Sequence, residues 1–160
     1  MGTRSTIALE FADGTVEQVY CHWDGYLEHN GKLLRDYYSN PFILRDLIDM
    51  GDISSLGKIV GTKHPFSPFE GETQKAQYDA AMQAGATTFY GRDRGEDCPA
   101  RKFKDYADYI ANHQYEEYEY ILRNVDGKAV WFVSDHDGAY VELEQAIMDE
   151  QDRIAQEETA

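Results

Sequence analysis

Residues 5–11 (STIALEF) alternate between polar and apolar, with Ile7, Leu9 and Phe11 on one side. A period of two marks a strand with one buried face. A second such run, residues 16–22, follows Ala12-Asp13-Gly14-Thr15. Asp-Gly between alternating runs predicts a β-hairpin, because the tight turn needs residues that tolerate positive φ. The pattern returns late in the chain. Residues 117–124 and 129–134 are β-rich and are joined by Val125-Asp126-Gly127-Lys128, a second hairpin.

Between the hairpins the apolar period lengthens to that of a helix. Asn30 is placed to cap a first helix with Leu33, Leu34, Tyr37 and Tyr38 as its stripe. Asn40-Pro41 starts a second, with Asn40 as N-cap and Pro41 in the first turn. Ile43, Leu44, Leu47 and Ile48 form its inner face, and Gly51 ends it. Residues 52–72 carry Gly57, Gly61, Pro65, Pro68 and Gly71 and predict a long loop with a short strand at 58–60. Loops of that length in compact proteins are often functional. An alanine-rich helix over 73–84 stops at Gly85, a strand covers 87–91, and 92–98 is a charged loop. Pro99 opens a helix presenting Phe103, Tyr106, Ala107 and Ile110. A final helix runs from about residue 141 into the late 150s, with Leu143, Ala146, Ile147 and Ile154 inward. The order predicts an α+β fold in one domain, 1–160. It has a single antiparallel sheet with N- and C-terminal β-hairpins, helices packed on one face and a long acidic C-terminal helix. The regular β-α alternation of a parallel sheet is absent.

Composition narrows the class. With 42% hydrophobic and 13% aromatic residues, the 160-residue chain can build a core and does not read as disordered. Cys21 and Cys98 form neither a C-x-x-C pair nor half of a zinc knuckle, and suit a reducing compartment as two free thiols. No apolar run reaches a membrane span, and the N-terminus lacks the apolar core of a signal peptide. Gly2 and Thr6 match the loose myristoylation pattern, but a strand from Ser5 would hold that terminus down. The net charge is −15; residues 116–160 hold 13 acidic and 3 basic residues, so −10 of it lies there. Such a chain repels nucleic acid and anionic membranes and attracts cationic partners.

Cys21-His22-Trp23-Asp24-Gly25-Tyr26 is the most unusual stretch. It reads either as a recognition loop anchored by Trp23 and Tyr26, or as a strand end whose aromatics cap the core over an Asp-Gly turn. Together with the opening MGTR and the hairpin that follows it, this W-D-G-Y motif resembles a family of small phage and mobile-element proteins. Those begin with MGTR and carry W/Y-D-G-Y after the first hairpin. The resemblance covers roughly the first 50 residues. It implies a phage or mobile-element origin and a bacterial host cytoplasm, and brings no activity or catalytic residue with it.

No catalytic signature stands out. There is no G-x-S-x-G elbow, no phosphate loop at Gly91-Arg92-Asp93-Arg94-Gly95, and no cofactor motif. On adjacent strands, His22, Asp24, Asp135, His136 and Asp137 could converge on a zinc, manganese or iron ion. A small metal-dependent hydrolase at that end of the sheet is therefore the alternative reading. The leading one is a non-enzymatic acidic binding module, an accessory or counter-defence protein. It would block a basic, nucleic-acid-binding surface of a host protein by mimicry, without touching nucleic acid or membrane itself. A homo-oligomer remains open. The expected contact residues are Trp23, Tyr26, Glu116, Glu117, Glu119, Asp149, Glu150, Asp152, Glu157 and Glu158.

Overall fold

In the computed structural model, which describes residues 3–135 and 138–159, the two hairpins lie side by side. The chain begins with β1 (Ser5–Glu10), β2 (Val16–Cys21), a π-helical turn (Leu27–Gly31), α1 (Lys32–Tyr37), α2 (Pro41–Asp49) and β3 (Ile53–Ser55). Next come α3 (Glu72–Ala84), β4 (Thr88–Phe89), α4 (Tyr90–Arg94), β5 (Arg101–Phe103) and α5 (Tyr106–Asn112). It closes with β6 (Tyr118–Val125), β7 (Lys128–Ser134), β8 (Tyr140–Glu142) and α6 (Leu143–Thr159).

Both Asp-Gly segments make hairpin turns. Gly14 has φ 91°, and the Phe11 amide closes its turn onto Thr15 O at 2.8 Å. Asp126 and Gly127, at φ 52° and 84°, join Val125 to its partner Lys128. The fold is α+β, with one sheet of eight strands in the order β4-β3-β2-β1-β6-β7-β8, and β5 added to the edge of β2. The sheet is mixed, not antiparallel throughout. β1 runs parallel to β6 and β2 parallel to β3, because long crossovers bring these strands together.

Helices cover both faces, which corrects the one-sided arrangement expected from sequence. On the first face Ile7, Leu9, Val19, Cys21, Tyr120, Leu122, Trp131 and Val133 pack under Leu34 and Tyr38, Leu44, Leu47 and Ile48 of α2, and Leu143 and Ile147 of α6. On the second face Ala8, Val16, Ile121 and Phe103 are covered by Tyr106 and Tyr109 of α5. The central strands therefore bury alternate residues in both directions, and Ser5, Thr6 and Gln18 are fully buried with them.

Asn40 accepts a hydrogen bond from the Phe42 amide at 2.9 Å, the N-cap of α2. Asn30 does not cap α1; it is buried in the preceding π-helical turn. Residues 101–103 are strand β5 rather than the start of a helix from Pro99. Pairing with β2 claims them, and Asp105, accepting from the Asp108 amide at 2.8 Å, starts α5 later. Ile110 is then 37% exposed while Tyr109 is buried. The short strand of the 52–72 region forms at Ile53–Ser55, and Ile59 makes only an isolated bridge to Ala86. Among the described residues no helix is long and apolar enough to cross a membrane.

Candidate functional site

The loop after β2 is held by its backbone. The His22 and Trp23 amides donate to Ile53 O and Ser54 O, each at 3.0 Å. Asp24 then takes φ 58°, a left-handed conformation that Asp tolerates better than most side chains. This turns Gly25 onto β1, where its amide donates to Thr3 O at 2.7 Å and its carbonyl accepts from Tyr120 Oη at 2.6 Å. Asn30 holds the loop from beneath. Its side-chain amide approaches Ser5 Oγ at 3.4 Å, Cys21 Sγ at 3.4 Å and Trp23 O at 3.3 Å. Burial pushes the Cys21 thiol up to about 12, so it is no nucleophile, and both cysteines are free.

This scaffold leaves the two aromatics at the surface, Trp23 43% and Tyr26 40% exposed. Trp23 meets the His22 ring edge-on at 4.8 Å, and His22 Nδ1 lies 2.7 Å from Tyr20 Oη. Trp23 is thus an outward side chain on a fixed loop rather than a cap over the core.

The acidic residues gather at the same end of the sheet. Leu143 and Ile147 anchor α6, which packs against the π-helical turn that follows Tyr26. Beyond Ile147 the helix continues for about 18 Å at 1.5 Å per residue, exposing Asp149, Asp152, Glu157 and Glu158, with Glu150 half-buried. Arg153 pairs with Glu150 at 2.5 Å and Glu157 at 2.6 Å. Burial raises the Tyr118 hydroxyl, and the nearby carboxylates Glu150, Asp135 and Glu117 raise it further. Three segments of chain therefore bring carboxylates to one tyrosine, with Arg153 opposing them. Glu117 is exposed and Glu116 half-buried, the latter's carboxyl raised by burial against the pull of Arg4.

Glu119 departs from the expected surface set. It is 5% exposed on the second face, bonded to His113 Nε2 at 2.6 Å and Tyr140 Oη at 2.9 Å. It sits between two inward tyrosines on a strand covered on both sides, so an outward-looking alternation still points it into protein. His113 was not singled out in the sequence. The signal available was a histidine six residues from an acidic residue of a strand whose two faces are both covered.

Of the His/Asp constellation, the described members His22, Asp24 and Asp135 follow strands that are not adjacent. The end of β2 and the end of β7 lie at one end of the sheet, but β1 and β6 run between them. Three strand spacings of about 4.8 Å put His22 and Asp135 roughly 14 Å apart. His136 and Asp137 fall outside the described residues. No group of three or more His, Cys, Asp or Glu side chains among the described residues could hold a metal ion.

The long loop is pinned by one arginine whose side chain is 10% exposed. Arg92 donates to Val60 O at 2.9 Å, Gly61 O at 3.0 Å and Thr87 O at 2.8 Å, and pairs with Asp93 at 3.0 Å. Asp93 in turn accepts from the His64 and Phe89 amides. Arg92 is therefore an internal strap, not a surface ion pair; Arg94 is the exposed one, paired with Glu96.

Comparison with family models, with curated proteins and with solved structures finds no match to this chain.

Proposed function

We propose that this protein is a non-enzymatic binding module that presents an acidic helix beside two aromatic anchors to a basic, nucleic-acid-binding surface of a partner protein. The observation that carries the reading is the shared location of exposed Trp23 and Tyr26 with the acidic residues around Tyr118 and along α6. Aromatics on a rigid loop supply contact area, and charge around them supplies speed and selectivity.

The acidic charge of this end is concentrated on α6. Six carboxylates, at Glu144, Asp149, Glu150, Asp152, Glu157 and Glu158, lie along α6. At 1.5 Å per residue that helix spans about 25 Å, and Arg153, paired with Glu150 and Glu157, is the one cation among them. The long acidic C-terminal helix is the mimicking element in this reading. The resemblance of the first 50 residues points to a phage or mobile-element accessory protein working in a bacterial host cytoplasm, in a counter-defence role.

The test is paired capture from bacterial lysate with immobilised wild type and with the triple variant Asp149→Lys, Glu150→Lys, Asp152→Lys. Partners retained by the wild type should be lost from the variant and displaced by added duplex DNA. Equal retention by both proteins would refute the reading.

A further inference from the structure

We propose that His113, Glu119, Tyr140 and Tyr109 form a proton-operated latch that ties α5 and the edge strand β8, which leads into α6, together across the second face of the sheet and releases them as pH rises. The latch is a property of the fold and stands whether or not the acidic helix meets a partner.

The geometry fixes which contacts must hold a proton. His113 Nδ1 lies 2.7 Å from Tyr109 O, and a carbonyl can only accept, so Nδ1 carries a proton. Nε2 lies 2.6 Å from Glu119 Oε1. That contact requires a second proton, because a bare ring nitrogen and a carboxylate would oppose two lone pairs. Tyr140 Oη donates to the same Glu119 oxygen at 2.9 Å and lies 3.1 Å from Tyr109 Oη. The chain of bonds runs from α5 through β8 to β6 and back to α5. His113 and Glu119 are both 5% exposed, so water does not replace a lost bond there.

Among the described residues the groups facing the pair are few. Tyr109 comes from α5, Tyr140 from β8, and the Tyr115 ring lies 4.2 Å over the imidazole. Glu116 is close enough to feel the Glu119 charge. Thr6 and Gln18, the inward residues of β1 and β2 on this face, are neutral. Burial raises the Tyr109 and Tyr140 hydroxyls above the usual tyrosine range, so both remain donors. Burial alone would lower His113, but the Glu119 hydrogen bond and charge outweigh it and hold the imidazole above its ordinary 6.5. A group raised on folding stabilises fully below its unfolded value and loses that contribution as pH rises through the folded one. The latch is therefore closed below 6.5 and opens on the alkaline side of it.

Opening reaches α6 because Tyr140 begins β8, an edge strand of three residues paired only to β7, and Leu143 starts α6 directly after it. The experiment is residue-resolved NMR of the labelled full chain from pH 5 to 9. The His113 ring should titrate with a midpoint above 6.5, and the amides of Tyr140, Val141 and Glu142 should move with the same midpoint. Glu119→Gln should lower the His113 midpoint, since it removes both the hydrogen-bonding charge and its Coulomb attraction. In Tyr140→Phe, which keeps the ring and loses only the hydroxyl, His113 should still titrate above 6.5 while the β8 amides no longer follow it. If Glu119→Gln does not fold, the wild type and Tyr140→Phe decide the matter. A wild-type midpoint at or below 6.5, β8 amides that ignore His113, or β8 amides that still follow it in Tyr140→Phe would overturn the latch.

Discussion

Gly25 leaves no room for a side chain. A Cβ there would lie 2.7 Å from Ser5 Cβ and 2.9 Å from Thr3 O, and neither is the end of a flexible chain. Gly25→Ala should therefore destabilise the protein by roughly 1–3 kcal/mol, the usual cost of forcing atoms into packed structure, read from the denaturant midpoint. Trp23 should behave oppositely. Because it is 43% exposed, Trp23→Ala should cost less than the roughly 3–5 kcal/mol of a buried aromatic, while sharply weakening partner capture. A loss of stability as large as that of a core tryptophan would return Trp23 to the role of a cap. The W-D-G-Y stretch could be singled out by its composition, but its division of labour could not. Asp24, not Gly25, takes the left-handed turn, and Gly25 is required for close approach to β1. Only the tertiary contact separates the two.

The second helix and the long loop show how local chemistry is read well and long-range chemistry poorly. Asn40-Pro41 announces the start of α2, and the side chain caps it as expected. Asn40→Ala should cost about 0.5–2 kcal/mol, and a shift of the thermal midpoint would report it. Asn30 carries the same local signal but is claimed by Cys21, Ser5 and Trp23, residues 7 to 25 positions away. Arg92 lies in a stretch that reads as a charged loop, yet it serves three carbonyls of the strand-and-loop segment around it. Arg92→Ala should leave Asp93 buried without its cation and cost about 3–5 kcal/mol. Hydrogen exchange at the Ile59 and Thr87 amides, which bond across this strap, should accelerate most. Unchanged exchange there would mean that the loop holds without it. Helix α5 illustrates a different limit: with residues 101–103 claimed by β5, the helix starts later and buries Tyr109 instead of Ala107 and Ile110, and nothing in a helical period tells which side of the sheet it covers.

For the molecule as a whole, the hairpins were legible because Asp-Gly turns are decided by two residues and their neighbours. The parallel pairing of β1 with β6 was not, since it joins segments separated by more than a hundred residues and leaves no local trace. The charge asymmetry was visible as a count, and folding adds where it goes. Part of it is spent internally, as with Glu119 against His113, and part is gathered around Tyr118 and along α6. The binding proposal depends on that gathered part acting through long-range attraction. Such attraction is screened over about 8 Å at physiological ionic strength, so it should show mainly in the rate of association. The decisive measurement is the association rate between this protein and its captured partner as salt is raised, with the Asp149→Lys, Glu150→Lys, Asp152→Lys variant alongside. A rate that falls steeply with salt for the wild type, and that is already low and nearly salt-independent for the variant, is the predicted result. A rate indifferent to salt and equal for both proteins would leave α6 as a solubilising surface and contradict the proposed function.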